Sequence, residues 1–221
     1  GTTGIHRELE EELADFVGVE DSVTFSSGYT ANLAAIGSIC TKSDVIISDS
    51  RNHASLIDGV KFSRATVLTE DLSSWTGLLP DSALDSPGGG LVVSDGVFSM
   101  DGTCANLSIL VRLAEQLGAS LYVDECHSMF ALGSTGRGLC EVQGVDPKSI
   151  SMHMGTLSKA IPSQGGYVGG SRDLCEFLRH EARGFIYSGA PAPSAAGAAL
   201  EGIRILRNET WRFRELDRKS Q

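Results

Sequence analysis

The sequence predicts an α/β fold: a doubly wound, mainly parallel sheet with helices on both faces. Three observations predict it. Short continuous apolar runs such as Asp44–Asp49 (DVIISD) and Leu91–Asp95 (LVVSD) read as strands buried on both sides. Stretches of helical period separate them. Small and polar residues gather directly after the strand runs, where open α/β sheets bind their ligands.

Taken in order, Gly4–Val17 reads as an amphipathic helix, with Ile5, Leu9, Leu13, Phe16 and Val17 on one stripe and Glu8, Glu10, Glu11 and Glu12 mostly outside it. Val23-Thr24-Phe25 is a short strand. Ser26-Ser27-Gly28-Tyr29 then leads into a small-residue helix over Thr30–Cys40. A strand, a Ser/Gly turn and a helix start suit an anion, and they equally suit an ordinary capped helix. After the strand Asp44–Asp49 come Asn52-His53-Ala54-Ser55 and a helix to about Phe62, and then a strand over Ala65–Leu68. Leu72–Gly90 is polar, is broken by Pro80 and Pro87, and reads as a short helix with loops. Leu91–Asp95 ends in GVFSMDG. Asn106–Gly118 has Leu107, Leu110, Val111, Ala114 and Leu117 at helical spacing, with Gly118 as C-cap. Leu121–Val123 is a strand with Asp124-Glu125-Cys126-His127 at its carboxyl end. Strands at Ile150–Met154 and Tyr167–Gly169 follow, then helices at Arg172–Arg183 and Ala195–Arg207. The charged residues Asn208–Gln221 have no evident sheet partner.

Composition bounds the function. A chain of 221 residues, 41% hydrophobic and with 26 glycines, suits one sizeable α/β domain rich in tight turns. No apolar run approaches the roughly 20 residues of a membrane span. A net charge of −10 disfavours nucleic acid or an anionic membrane as main partner. The opening GTTGIHRELEEE is neither a secretory signal nor an Arg-rich transit peptide. The five cysteines (40, 104, 126, 140 and 175) are scattered, odd in number and without CxxC, as in a reduced, cytoplasmic type of compartment. No His, Cys and acidic residues recur at metal-ligand spacing, so no metal is expected.

The chemistry centres on His153–Gly166, HMGTLSKAIPSQGG. Hydroxyls before Lys159 and glycines after it let the backbone close around an anion while the amine reaches it. A phosphate-contacting lysine and a Schiff-base lysine both fit, but no glycine precedes Lys159 as the GxxxxGK[ST] phosphate loop requires. Asp124 ends an apolar strand, where a carboxylate needs backbone amides or a cationic partner. Taken singly, His53 reads as a helix-start histidine and Ser99 as a turn residue. Together with Lys159 they match the needs of pyridoxal phosphate (PLP). That cofactor needs a lysine for the imine, a carboxylate to keep the ring nitrogen protonated, an imidazole or aromatic face over the ring, and a helix start for the phosphate.

GIHRELEEELADFVG, FSSGYTAN, SRNHASLIDG, SDGVFSMDGTCANL, VDECHSMFALGSTGRG and GTLSKAIPSQGGYVGG resemble, in order and spacing, the α-oxoamine synthases. These are fold-type I PLP enzymes that include 8-amino-7-oxononanoate synthase, 2-amino-3-ketobutyrate CoA ligase, 5-aminolevulinate synthase and serine palmitoyltransferase. The resemblance runs to about Leu206. It implies a seven-stranded, aspartate aminotransferase-like large domain over residues 1–207, with 208–221 leading towards a small domain that has no counterpart here. By the same resemblance Lys159 would form the imine and move the Cα proton, Asp124 would pair with the pyridine nitrogen, and His53 would stack on the ring. Ser99 and His127 would reach the phenolate oxygen, and Gly28, Tyr29 and Thr156 would hold the phosphate. Ser188 falls where a family residue reaches the cofactor phosphate of a neighbouring subunit, which implies a homodimer with shared sites.

The implied reaction condenses an amino acid with an acyl thioester, on coenzyme A or an acyl carrier protein, usually with decarboxylation. An aminotransferase or C–C lyase on the same fold, a non-catalytic partner subunit, and a phosphate-binding domain without PLP are the other readings. Against the family pattern, Cys126 replaces a usual alanine, Asp95 a common glutamate and Pro162 a glycine, and Gly189-Ala190 replace hydroxyl residues after Ser188. The arginine that binds the substrate carboxylate in that family lies in the small domain, so slow turnover is expected of residues 1–221 alone.

Overall fold

The computed structural model describes residues 1–74 and 88–220. Among these, strands β1 (Asp21–Phe25), β2 (Val45–Asp49), β3 (Thr66–Glu70), β4 (Gly90–Asp95), β5 (Ser120–Asp124), β6 (Met152–Thr156) and β7 (Gly166–Gly170) form one sheet in the order β1-β7-β6-β5-β4-β2-β3. Pairing is parallel from β3 through β6, while β7 runs antiparallel to both β6 and β1. The mixed α/β sheet expected from the sequence is therefore present, with one reversed strand near its edge.

Helices cover both faces because alternate strand residues point to opposite sides. Leu91 and Val93 of β4 pack with Ala31, Ala35 and Ile36 of α2 (Gly28–Ile39) and with Leu56 and Val60 of α3 (Ala54–Ser63). Val92, between them, packs on the other face with Leu107, Leu110 and Leu113 of α4 (Leu107–Leu117). Gly118 caps that helix at φ 59°, a left-handed conformation that glycine adopts without a Cβ penalty. A third cluster joins Leu9, Leu13 and Phe16 of α1 (Gly4–Val17) to Ala196, Ala199, Leu200 and Ile203 of a helix over Pro193–Asn208.

Several boundaries differ from expectation. The helix expected from Thr30 begins at Gly28, because Ser27 caps it by accepting from the Thr30 amide at 3.0 Å. The strand expected from Ile150 begins at Met152, after a 3₁₀ turn over Pro147–Ser149. A short helix, α5 (Gly138–Gln143), was not foreseen; it fills a glycine-rich stretch without helical periodicity. Asn208–Gln221, read as merely charged, contains a helix over Trp211–Ser220 whose Phe213 is buried against Gly136. Of Leu72–Gly90, Leu72–Ser74 is a 3₁₀ turn and Gly90 opens β4, while the helix-with-loops reading of 75–87 lies outside the described residues.

Glu10 is the sharpest correction. Placed outside the apolar stripe of α1, it is 1% exposed. Its carboxylate accepts from the Thr24 amide and hydroxyl at 2.9 and 3.0 Å, and meets Arg7 and Arg179 at 2.9 and 3.2 Å. A buried glutamate is stable because those partners replace its water. No helix among the described residues is long and apolar enough to cross a membrane.

Candidate active site

The carboxyl ends of β5 and β6 and the starts of α2 and α3 enclose a cavity of about 230 Å³. Gly28, Tyr29, His53, Ser99, Asp124, His127, Thr156 and Lys159 all line it, so eight of the nine residues singled out from the sequence converge. Ser188 does not; it lines a separate pocket with Arg179 and Phe185.

At the floor, Asp124 is 4% exposed. Its Oδ1 accepts from the Cys126 amide at 2.9 Å and its Oδ2 from the Asn32 side-chain amide at 2.7 Å. Both donors are neutral. Asn32 is held in turn: its oxygen accepts from the Tyr122 hydroxyl at 2.8 Å, and its nitrogen also donates to Ser55 Oγ at 2.9 Å. Ser55 Oγ lies 2.7 Å from His53 Nδ1, which connects the floor to the ring of His53 at the mouth. Sequence reasoning missed Asn32, Ser55 and Tyr122. The available signal was an asparagine inside an otherwise apolar helix, since a buried amide there must have partners.

Parallel register sets Asp95 of β4 directly beside Asp124. Asp95 accepts from the His53 amide at 2.6 Å, which fixes the start of α3. Burial, reinforced by the neighbouring Asp124 charge, pushes the Asp95 carboxyl up to about 7. At the mouth, Lys159 Nζ lies 2.8 Å from His127 Nε2. Burial and the adjacent Lys159 charge hold His127 below the usual histidine range, so the imidazole is neutral near pH 7 and accepts from the ammonium.

The start of α2 also lines the cavity and offers it free backbone amides. The first amides of α2 have no partner within their own helix and lie at its positive dipole end. Thr156 and Ser158 hydroxyls sit 2.9 Å apart beside them. Gly166 allows this approach, because a Cβ there would stand 2.6 Å from the Gly28 Cα. The Tyr29 hydroxyl donates to Asp58.

A doubly wound sheet with an amine, a buried carboxylate and a helix start around one cavity is a ligand-binding α/β architecture, with its site beyond the carboxyl ends of the parallel strands. The chain belongs to the aminotransferase class I and II family, which it matches over residues 1–218. A putative 8-amino-7-oxononanoate synthase of Desulfovibrio desulfuricans is 46% identical over 198 residues, 90% of this chain and 52% of that protein. Serine palmitoyltransferase of Bacteroides thetaiotaomicron is 38% identical over 219 residues, covering 98% of this chain and 55% of that one. A solved serine palmitoyltransferase variant from S. paucimobilis, carrying a bound PLP–myriocin aldimine, superposes with a TM-score of 0.84 at 35% identity, over 96% of this chain and 55% of its own. The chain thus spans about half the length of the curated relatives it matches.

Proposed function

We propose that residues 1–207 form the cofactor-binding domain of a PLP-dependent α-oxoamine synthase, with 208–221 leading out of it. The enzyme would be an acyltransferase that condenses an amino acid with an acyl thioester, on coenzyme A or a carrier protein, usually with decarboxylation. The observation that carries this reading is the single cavity lined by both Lys159 and Asp124, with the α2 anion cradle beside them.

The residues present fit PLP. Asp124 is a buried carboxyl group whose hydrogen-bond donors are all neutral, which suits a cationic ring N–H. When bound, PLP supplies an electrophilic aldehyde and an electron-withdrawing ring that stabilises negative charge at the substrate α-carbon. Asp124 would hold the proton on the ring nitrogen, with Asn32 fixing the carboxylate. His53 would lie on the ring face, and Ser99 and His127 would reach the phenolate oxygen. Gly28, Tyr29 and Thr156 would bind the phosphate. Lys159 would hold the aldehyde end and carry the proton to and from the substrate α-carbon.

The remaining assignment is a homodimer with shared sites. Ser188 lies outside the cavity of its own chain, beside Tyr187, which is 75% exposed. It would reach the phosphate end of a second copy. Free cysteines at all five positions favour the cytoplasm.

Purified chain equilibrated with PLP and freed of excess should be yellow, with a visible band that Lys159→Ala abolishes. Product formation should need an amino acid and an acyl thioester. A colourless wild type, or amino transfer to a keto acid without thioester, would overturn the reading.

A further inference from the structure

We propose that Glu125, Cys140 and His153 form a second site, a buried binding site for zinc or a similar borderline-soft divalent cation, on the far side of strand β5's exit from the cofactor cavity. The three residues come from the turn directly after β5, helix α5 and strand β6, and all are buried. One ligand atom from each lies within 4.8 Å of the other two.

The imidazole carries the argument. His153 is 1% exposed, and its Nε2 lies 2.9 Å from the Pro147 carbonyl, which can only accept. Nε2 therefore carries a proton, and Nδ1 is the free nitrogen. Nδ1 is buried, has no hydrogen-bond partner, and faces Glu125 Oε1 at 3.5 Å. Two acceptor atoms facing each other in a dry interior are satisfied by a proton or by a metal cation between them. A histidine that donates its other N–H to a backbone carbonyl is in the pose of a metal ligand.

Glu125 is prepared in the same way. Its Oε2 accepts from the Leu139 amide at 3.0 Å and from Ser128 Oγ at 2.9 Å, which leaves Oε1 turned towards His153 and Cys140. Cys140 Sγ lies 4.0 Å from that same oxygen. A tetrahedral zinc ion sets its N, O and S ligands roughly 3.3 to 3.6 Å apart, so side-chain rotations of about 1 Å or less would close the set. The sulfur sets which cation fits, because a thiolate selects zinc among abundant divalent ions.

Charge balances in the bound form. The cation contributes two positive charges; Glu125 and the Cys140 thiolate contribute one negative charge each; His153 is neutral. Binding breaks the S–H bond, forms S–Zn and releases the proton to solvent. The neutral cluster would clip the Asp124–His127 turn to β6 and α5, acting as a positioning device for the cavity on the other side. It does not depend on the cofactor reading.

The test uses the full chain, purified without chelator, incubated with zinc chloride and desalted. Elemental analysis should find about one zinc per chain, and cobalt exchange should give a thiolate-to-cobalt charge-transfer band. Cys140→Ala should cut the zinc at least tenfold, as should His153→Phe, while Cys104→Ala at an exposed cysteine should leave it unchanged. Circular dichroism would establish that each variant folds. If Cys140→Ala does not fold, the wild-type cobalt spectrum decides alone. Less than a tenth of an equivalent in wild type, no charge-transfer band, or full zinc in folded Cys140→Ala would overturn the proposal.

Discussion

Two polar networks in this protein are both built around a pair of carboxylates and reach opposite outcomes. At the β1 edge, Arg179 donates to Asp21 at 2.6 and 3.0 Å, to Glu10 at 3.2 Å and to the Ser22 carbonyl at 2.7 Å. Arg7 joins Glu10 at 2.9 Å, so two carboxylates meet two guanidinium groups. Burial alone would raise the Asp21 carboxyl, yet Arg179 holds it below its ordinary range. At the centre of the sheet, Asp124 and Asp95 lie side by side on adjacent strands, and their hydrogen-bond donors are amides. The first network is electrostatically closed and holds architecture together. The second has no guanidinium among its hydrogen-bond partners, and that opening would let it receive a cationic group.

The largest effect that would sharpen this contrast is at Lys159, which is exposed and holds nothing in the core together. Lys159→Ala should remove the PLP-dependent visible band and all turnover, while urea denaturation of the PLP-free chain shifts by less than about 0.5 kcal/mol. Next comes Arg179→Ala, which takes the guanidinium from Asp21 and leaves Glu10 with Arg7 as its one cationic partner. It should cost about 3–5 kcal/mol in urea denaturation while leaving the colour of the folded fraction intact. Equal effects of the two substitutions on stability would break the comparison.

The third test is a pH dependence. The Asp95 carboxyl is raised in the folded chain, so its contribution to stability is complete below the unfolded value of 3.8 and is lost as pH rises through about 7. In the PLP-free chain Asp95→Asn keeps an acceptor for the His53 amide. It should flatten the decline in stability between about pH 4 and 7, worth an order-of-magnitude 2–4 kcal/mol, and should be more stable than wild type at pH 8. A wild type with no greater loss of stability than Asp95→Asn across that window would remove the contrast at the Asp95–Asp124 pair. The smallest expected effect is at Asn32. Asn32→Ala leaves Asp124 Oδ2 and the Tyr122 hydroxyl without partners and should cost about 1–3 kcal/mol. It should also weaken PLP binding, measured by titration of the visible band.

Much of the site was legible before folding because its residues sit directly after apolar strands. Gly28, Ser99, Asp124, His127 and Lys159 could be placed at one end of a parallel sheet once the strands were recognised. Gly4–Val17 was legible to the residue, because its apolar period is a local feature. Asn32, Ser55 and Tyr122 were not legible, since each matters only through a partner distant in sequence, the longest separation being Asn32 to Asp124. Glu10 misled for the same reason: periodicity put it among solvated glutamates, and only the arrival of Arg179 from the helix over Arg172–Glu181 turned it inward.

By itself, the order of residues determined which segments become strands and helices and which chemical groups stand at their ends, because period, caps and turns act over a few neighbours. Strand register and helix docking belong to the tertiary structure, and they decided which charges become neighbours. A shift of Asp95 by one residue would point its carboxylate to the other face of the sheet. The same is true of Glu125, Cys140 and His153, which share no spacing in the chain and meet only because β5, α5 and β6 pack together.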